Sequence, residues 1–169
     1  MSQTPSGEIV IGGSFRIASG AQARNLTKVR STCPATALSY GSGCSSAAGP
    51  LVMTADTLPW IGAAFRTTTT GVAANSLCLG VIGFTQVAIP LAALLVEGQP
   101  GCSLLTTPDI TFVLTNGPGT AQSSFALANT PSLLGVTFFQ QTIPLEFGGT
   151  GALTAVRGSN ALAATIGTL

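Results

Sequence analysis

Four cysteines and no histidine narrow what this chain can become. Cys33 and Cys44 bracket a Gly- and Ser-containing segment that includes Tyr40, and Cys78 and Cys102 lie in or beside strand-like sequence. A zinc-type metal site needs deprotonated Cys or His at close spacing, usually two residues apart. Here ten residues separate Cys33 from Cys44 and twenty-three separate Cys78 from Cys102, so no metal and no cofactor is expected. The pattern instead reads as a disulfide framework, which places the chain in an extracellular or cell-surface setting. Sequence leaves three connectivities open. The favoured pairs are the two short closures, Cys33–Cys44 and Cys78–Cys102, each stabilising by roughly 2–4 kcal/mol in the loop-entropy account.

Charge is the second constraint. Only 7% of residues are charged, against about 25% in an ordinary soluble domain. The net charge of +1 leaves no basic footprint for nucleic acid and no acidic tail. Low charge also removes repulsion between copies, and it leaves a single lysine, Lys28, of the residue type that usually protects strand edges. Thr67–Val96 and Ile110–Leu145 carry no charge, yet Gly, Asn and Pro interrupt both, so neither reads as a membrane-spanning helix. Met1-Ser2-Gln3-Thr4-Pro5 shows no signal peptide. The expectation is therefore an export segment already removed, or a piece of a longer secreted protein.

Helix formers such as Glu, Lys and Gln are scarce, and Val, Ile, Thr and Phe cluster in short runs bounded by Gly, Pro, Asn or Ser. About ten strands are expected. They include Glu8–Ile11, Leu26–Val29, Thr36–Tyr40, Leu51–Ala55, Ala63–Thr68, Ser76–Ile82, Ala92–Val96, Ile110–Leu114, Ala121–Leu127, Thr137–Ile143 and Ala161–Ile166. Only Val87–Leu95 has any claim to a short helix. Asn116-Gly117 and Gly148-Gly149 offer the positive φ of tight turns. The pattern predicts an all-β fold, a two-sheet antiparallel β-sandwich of jelly-roll or immunoglobulin-like type with an N-terminal strand extension. A change in composition near Thr32 divides it into an N-terminal segment, residues 1–32, and a stapled sandwich, residues 33–169.

From Cys33 on, the chain resembles a C-terminal β-domain of large secreted proteins of some environmental bacteria. The resemblance rests on Cys33-Pro34-Ala35, Tyr40-Gly41-Ser42-Gly43-Cys44, Leu58-Pro59-Trp60-Ile61-Gly62, Gly101-Cys102-Ser103-Leu104, Pro108-Asp109, Asn129-Thr130-Pro131-Ser132-Leu133-Leu134-Gly135 and Ser159-Asn160-Ala161. It implies an extracellular terminal module for sorting, adhesion or assembly, with no assigned enzymatic role. Residues 1–32, with Gly7-Glu8-Ile9-Val10-Ile11-Gly12-Gly13-Ser14-Phe15 and Arg24-Asn25-Leu26-Thr27-Lys28-Val29, resemble one β-propeller-type repeat. A single repeat cannot bury its own apolar face. Ile9, Ile11, Phe15, Ile17, Leu26 and Val29 are therefore the candidate assembly interface.

Catalytic readings find little support. Serine or cysteine nucleophiles want a base, usually His, and there is none. Five acids offer no pair whose spacing marks a glycosidase. Gly41-Ser42-Gly43 and Gly148-Gly149-Thr150-Gly151 lack the lysine and following helix of a phosphate loop. Trp60, Tyr40, Phe138 and Phe139 are candidate sugar-stacking aromatics. Adjacent strand residues point to opposite faces, so one of Phe138 and Phe139 is expected on the surface unless both sides are covered. Trp60 and Phe84 are expected in the core. The reading is a structural, non-enzymatic subunit of an extracellular filament or surface assembly. It polymerises with itself through its N-terminal strand segment. The alternative is a carbohydrate-binding or adhesion module, with surface glycans as partners.

Overall fold

The computed structural model describes residues 33–168 throughout and, of residues 1–32, the backbone of 2–3, 9–13, 17–18, 21–22 and 26–29. The N-terminal segment contributes β1 (Ser2–Gln3), β2 (Ile9–Gly12), β3 (Ile17–Ala18), β4 (Ala21–Gln22) and β5 (Leu26–Val29). β2 runs between β1 and β5, and β3 pairs with β4. From Thr36 on come β6 (Thr36–Tyr40), β7 (Ser45–Ser46), β8 (Gly49–Pro50), β9 (Val52–Ala55), β10 (Ala64–Thr70), β11 (Ser76–Gly83) and β12 (Gln86–Pro90). After the one-turn helix α1 (Leu91–Leu94) follow β13 (Ser103–Thr106), β14 (Ile110–Val113), β15 (Thr115–Gly117), β16 (Thr120–Ala126), β17 (Thr137–Phe147), β18 (Leu153–Val156) and β19 (Ala161–Thr165). The fold is all-β, as the alternation of short apolar runs predicts.

Two antiparallel sheets carry the domain. One has the order β14-β11-β17-β19-β6, with β18 sharing an edge of β17, and the other has the order β15-β16-β10-β9. Between them lie Met53, Phe65, Ile82, Phe138, Leu162, Ala164 and Ile166. A second inter-sheet cluster holds Leu51, Val72, Cys78, Leu114 and Ala121. Phe65, Phe125 and Phe138 meet edge to face at 5.7–5.9 Å, an arrangement that adds about 0.5–1.5 kcal/mol per pair beyond area burial.

β17 is covered on both faces. Its even-numbered residues Phe138, Gln140 and Thr142 turn toward the second sheet, while Gln141 and Ile143 turn the other way. That other face is roofed by the β12–β13 hairpin and α1, which pack Leu91, Cys102 and Leu104 on Val81, Ile143 and Val156. The double cover corrects the expectation of a surface aromatic at Phe138 or Phe139. Phe138 is 4% exposed, and Phe139 is half-buried with its ring 5.8 Å from that of Tyr40. Phe84, expected in the core, is 57% exposed.

The strand expected at Ala92–Val96 is replaced by α1. Pro90 closes β12 with φ −56° and stands as the N-cap, and Leu95 N–H donates back to Leu91 O. Proline has no N–H to continue a ladder, and Leu-Ala-Ala-Leu favours a helical turn once the strand stops. The turn expected at Asn116-Gly117 moves on by two residues. Those two stay in β15, and Pro118-Gly119 makes the reversal, with Gly119 at φ 72°. Proline before a positive-φ glycine is the type II arrangement.

Candidate functional site

The cysteines are joined differently from the expected short closures. Cys44 bonds to Cys102 across 58 residues, with Cα atoms 5.5 Å apart. Cys78 is a buried free thiol. The reason is the sheet itself. Cys78 faces the inter-sheet core, whereas Cys102 lies under the hairpin on the opposite face, so β11 and β17 stand between them. Cys33 O accepts from Thr168 N–H (2.9 Å), which ties the start of the domain to its end. Burial pushes the Cys78 thiol up, with hydrogen bonds involving Ser76 and Asn116 acting the other way.

Strand edges are treated unequally. At β9 the outward N–H and C=O of Met53 are both taken by one side chain. Asn160 Oδ1 accepts from Met53 N–H (2.7 Å) and Asn160 Nδ2 donates to Met53 O (3.0 Å) and to Ser39 Oγ (2.8 Å). Leu51 N–H donates to Cys44 O (2.8 Å) beside it. An added Cβ at Gly43 would strike Leu51 O, so only glycine admits this approach. That edge is plugged.

The β14 edge is open. Leu114 N–H donates to Cys78 O (2.9 Å). Bonding residues alternate in an antiparallel ladder, so the N–H and C=O of Thr111 and Val113 point away from β11, where no described strand meets them. Ile110-Thr111-Phe112-Val113 has no charge, and Ile110 and Val113 are 51% and 63% exposed. β6, at the far end of the same sheet, is also uncharged and exposes Leu38. At the end of α1 and just past it, Leu94, Leu95 and Val96 form an exposed apolar tip.

The six residues proposed from sequence as an assembly interface fall in the N-terminal segment. Ile9 and Ile11 lie on β2, Ile17 on β3, and Leu26 and Val29 on β5. Their side chains, and Phe15 altogether, lie outside the described residues.

Buried polar groups lie on both faces of the first sheet, Gln141 bonding under the hairpin to Leu105 N–H, Ser103 O and Ser159 O, and others lie between the sheets. Inside, Gln140 Nε2 donates to Ser123 Oγ (2.9 Å), Thr67 pairs with Ser123 (2.7 Å) and Thr69 with Thr142 (2.7 Å). Gln140 Oε1 has no partner among the described residues. Outside, Asp56 stands beside Arg66 at a β-bulge, and a hollow next to them is lined by Trp60. Tyr40 Oη donates to Leu105 O (2.9 Å), and burial pushes its phenol up to about 12.

Sequence reasoning missed the roles of Asn160, the β14 edge and Leu94–Val96. The uncharged run Ile110–Leu114 was the available signal for the edge; nothing local marks Asn160. Comparison of the chain with protein-family models, curated proteins and solved structures returned no match. Among the described residues no helix is long and apolar enough to cross a membrane.

Proposed function

We propose that the protein is a structural subunit of an extracellular filament or surface assembly. Copies join by β-strand addition, and residues 1–32 supply the joining segment. The observation that carries this reading is the β14 edge, a row of main-chain groups that no described strand pairs, on a strand without charge. Such an edge is a template for another chain. Strand addition draws affinity from main-chain hydrogen bonds and specificity from alternate side chains. A head-to-tail contact that does not close generates an open filament.

Three further features support it. The chain has almost no charge to keep copies apart. An apolar tip at Leu94–Val96 adds surface that a neighbour would cover. The Cys44–Cys102 bond suits an oxidising, extracellular setting, in keeping with the resemblance of residues 33–167 to a terminal module of secreted bacterial proteins. The test compares the full chain with residues 33–169 by analytical ultracentrifugation under non-reducing conditions. High-mass polymers of the full chain, lost on removing residues 1–32, are expected. A full chain that sediments as a monomer at micromolar concentration contradicts the reading.

A further inference from the structure

The outer face of the second sheet carries polar groups that the fold leaves unused. Of the two arginines whose side chains are described, Arg157 is held by Glu146 at 2.9 Å. Arg66 has no side-chain partner among the described residues and is exposed. Asp109 serves its own turn, accepting from Phe84 N–H and Thr107 Oγ1. Asp56 accepts one bond, from Thr68 Oγ1 (2.7 Å), which leaves its second carboxylate oxygen open.

Asp56 is also aimed. Asp56 N–H and Thr57 N–H both donate to Arg66 O (2.9 and 3.4 Å), so two residues oppose one. This is a β-bulge, a device that re-aims side chains and recurs beside binding sites. On one side of Asp56 lies a hollow of about 410 Å³ lined by Leu58, Trp60 and the small side chains of Ala55, Ala63 and Ala64. On the other lies a hollow of about 320 Å³ lined by Arg66, Thr115, Gln122 and Ser124. Asp56 lines both hollows, and the four strands of this sheet span roughly 14 Å at ~4.8 Å per strand.

Trp60 is held in place there. Its loop is fastened to the C-terminal strand by Ile61 N–H to Gly167 O (3.0 Å) and Gly167 N–H to Pro59 O (3.1 Å). The ring is half-buried, and its indole N–H donates to no acceptor among the described residues. A half-buried aromatic that lines a hollow and keeps a free donor offers an apolar platform and a polar handle together.

We propose that this face is a binding site for a neutral oligosaccharide, with Trp60 as the stacking platform and Asp56, Arg66 and Gln122 as the polar contacts. Asp56 and Arg66 stand side by side, so their charges offset, and the other lining residues are uncharged. The site therefore favours neither anions nor cations. Carboxylate, guanidinium and amide are the groups that pair with adjacent hydroxyls through two hydrogen bonds at once. A shallow face as wide as four strands suits a short sugar chain rather than a single sugar enclosed in a pocket. The site is independent of the β14 edge, which belongs to the other sheet.

Trp60 is the sole tryptophan, so its fluorescence reports the site directly. The full chain is titrated with cello-, chito- and isomalto-oligosaccharides, and with oligogalacturonate as the anionic comparison. Asp56→Asn and Gln122→Ala variants are matched by thermal melting. A saturable emission change is expected with at least one neutral series and none with oligogalacturonate, with binding weakened about tenfold or more in both variants. Three results overturn the proposal: no response to any neutral series, a response to oligogalacturonate alone, or unaltered binding by both variants. Light scattering on the same samples scores assembly separately, so failure of the sugar site and failure of polymerisation are distinguishable.

Discussion

With Asn160 replaced by alanine, Met53 keeps a buried N–H and C=O with nothing to bond them. Each unsatisfied group costs about 1–3 kcal/mol, so Asn160→Ala is expected to destabilise by about 3 kcal/mol in chemical denaturation. The same change unplugs the β9 edge and should raise non-specific aggregation. Asn160→Asp should be no better, because a carboxylate cannot donate to Met53 O. Tyr40 gives a second residue-scale prediction. Its folded-state pKa of about 12 lies above the ordinary value of 10.0. The unfolded chain therefore releases this proton first as pH rises, so stability is fully present below pH 10 and falls as pH climbs from there toward 12. Tyr40→Phe should remove that alkaline loss, at the cost of the bond to Leu105 O. As the sole tyrosine, it can be titrated by its own ultraviolet absorbance. The cysteines show the limit of local reading. Spacing favoured short loops, but pairing is decided by which face of a sheet each thiol occupies, and that depends on the register of β11 against β17.

At the scale of elements, the Cys44–Cys102 bond ties the loop after β6 to the hairpin that roofs the first sheet. A crosslink spanning 58 residues stabilises by about 4 kcal/mol in the loop-entropy account. Reduction should lower the melting temperature. Under non-reducing, native conditions Cys78 should resist alkylation and become reactive only on unfolding; labelling of Cys78 in the native protein would contradict its burial between the sheets. Strand existence was legible because period-two alternation survives in half-buried strands. Thr36–Tyr40 was expected with the bounds it has, and Ser76–Ile82 and Ala161–Ile166 within one residue. β17 was shortened to Ile143 because its continuation Pro144-Leu145-Glu146-Phe147 follows a stretch buried on both faces, which blurs alternation. α1 falls inside Val87–Leu95, the one stretch with a claim to a short helix, whereas the strand expected at Ala92–Val96 and the turn expected at Asn116-Gly117 were misplaced for a related reason: in both, proline chose the point at which the strand ended.

At the scale of the whole molecule, a plugged edge, an open edge and a low charge content together support the proposed addition of strands between copies. The N-terminal segment was marked by sequence through its resemblance to a single propeller-type repeat, which would need a partner to bury its apolar face; the edge that would receive a strand was not, because edge position follows from topology rather than composition. A lysine set on an edge strand blocks such pairing, and Val113 is exposed enough to take one without disturbing the core. The deciding measurement is negative-stain electron microscopy of the purified, non-reduced full chain beside Val113→Lys. Regular filaments or sheets from the parent, and dispersed particles from a variant with the same melting temperature, are the predicted result. Dispersed particles from the parent, or equal filaments from both, would contradict strand addition at the β14 edge.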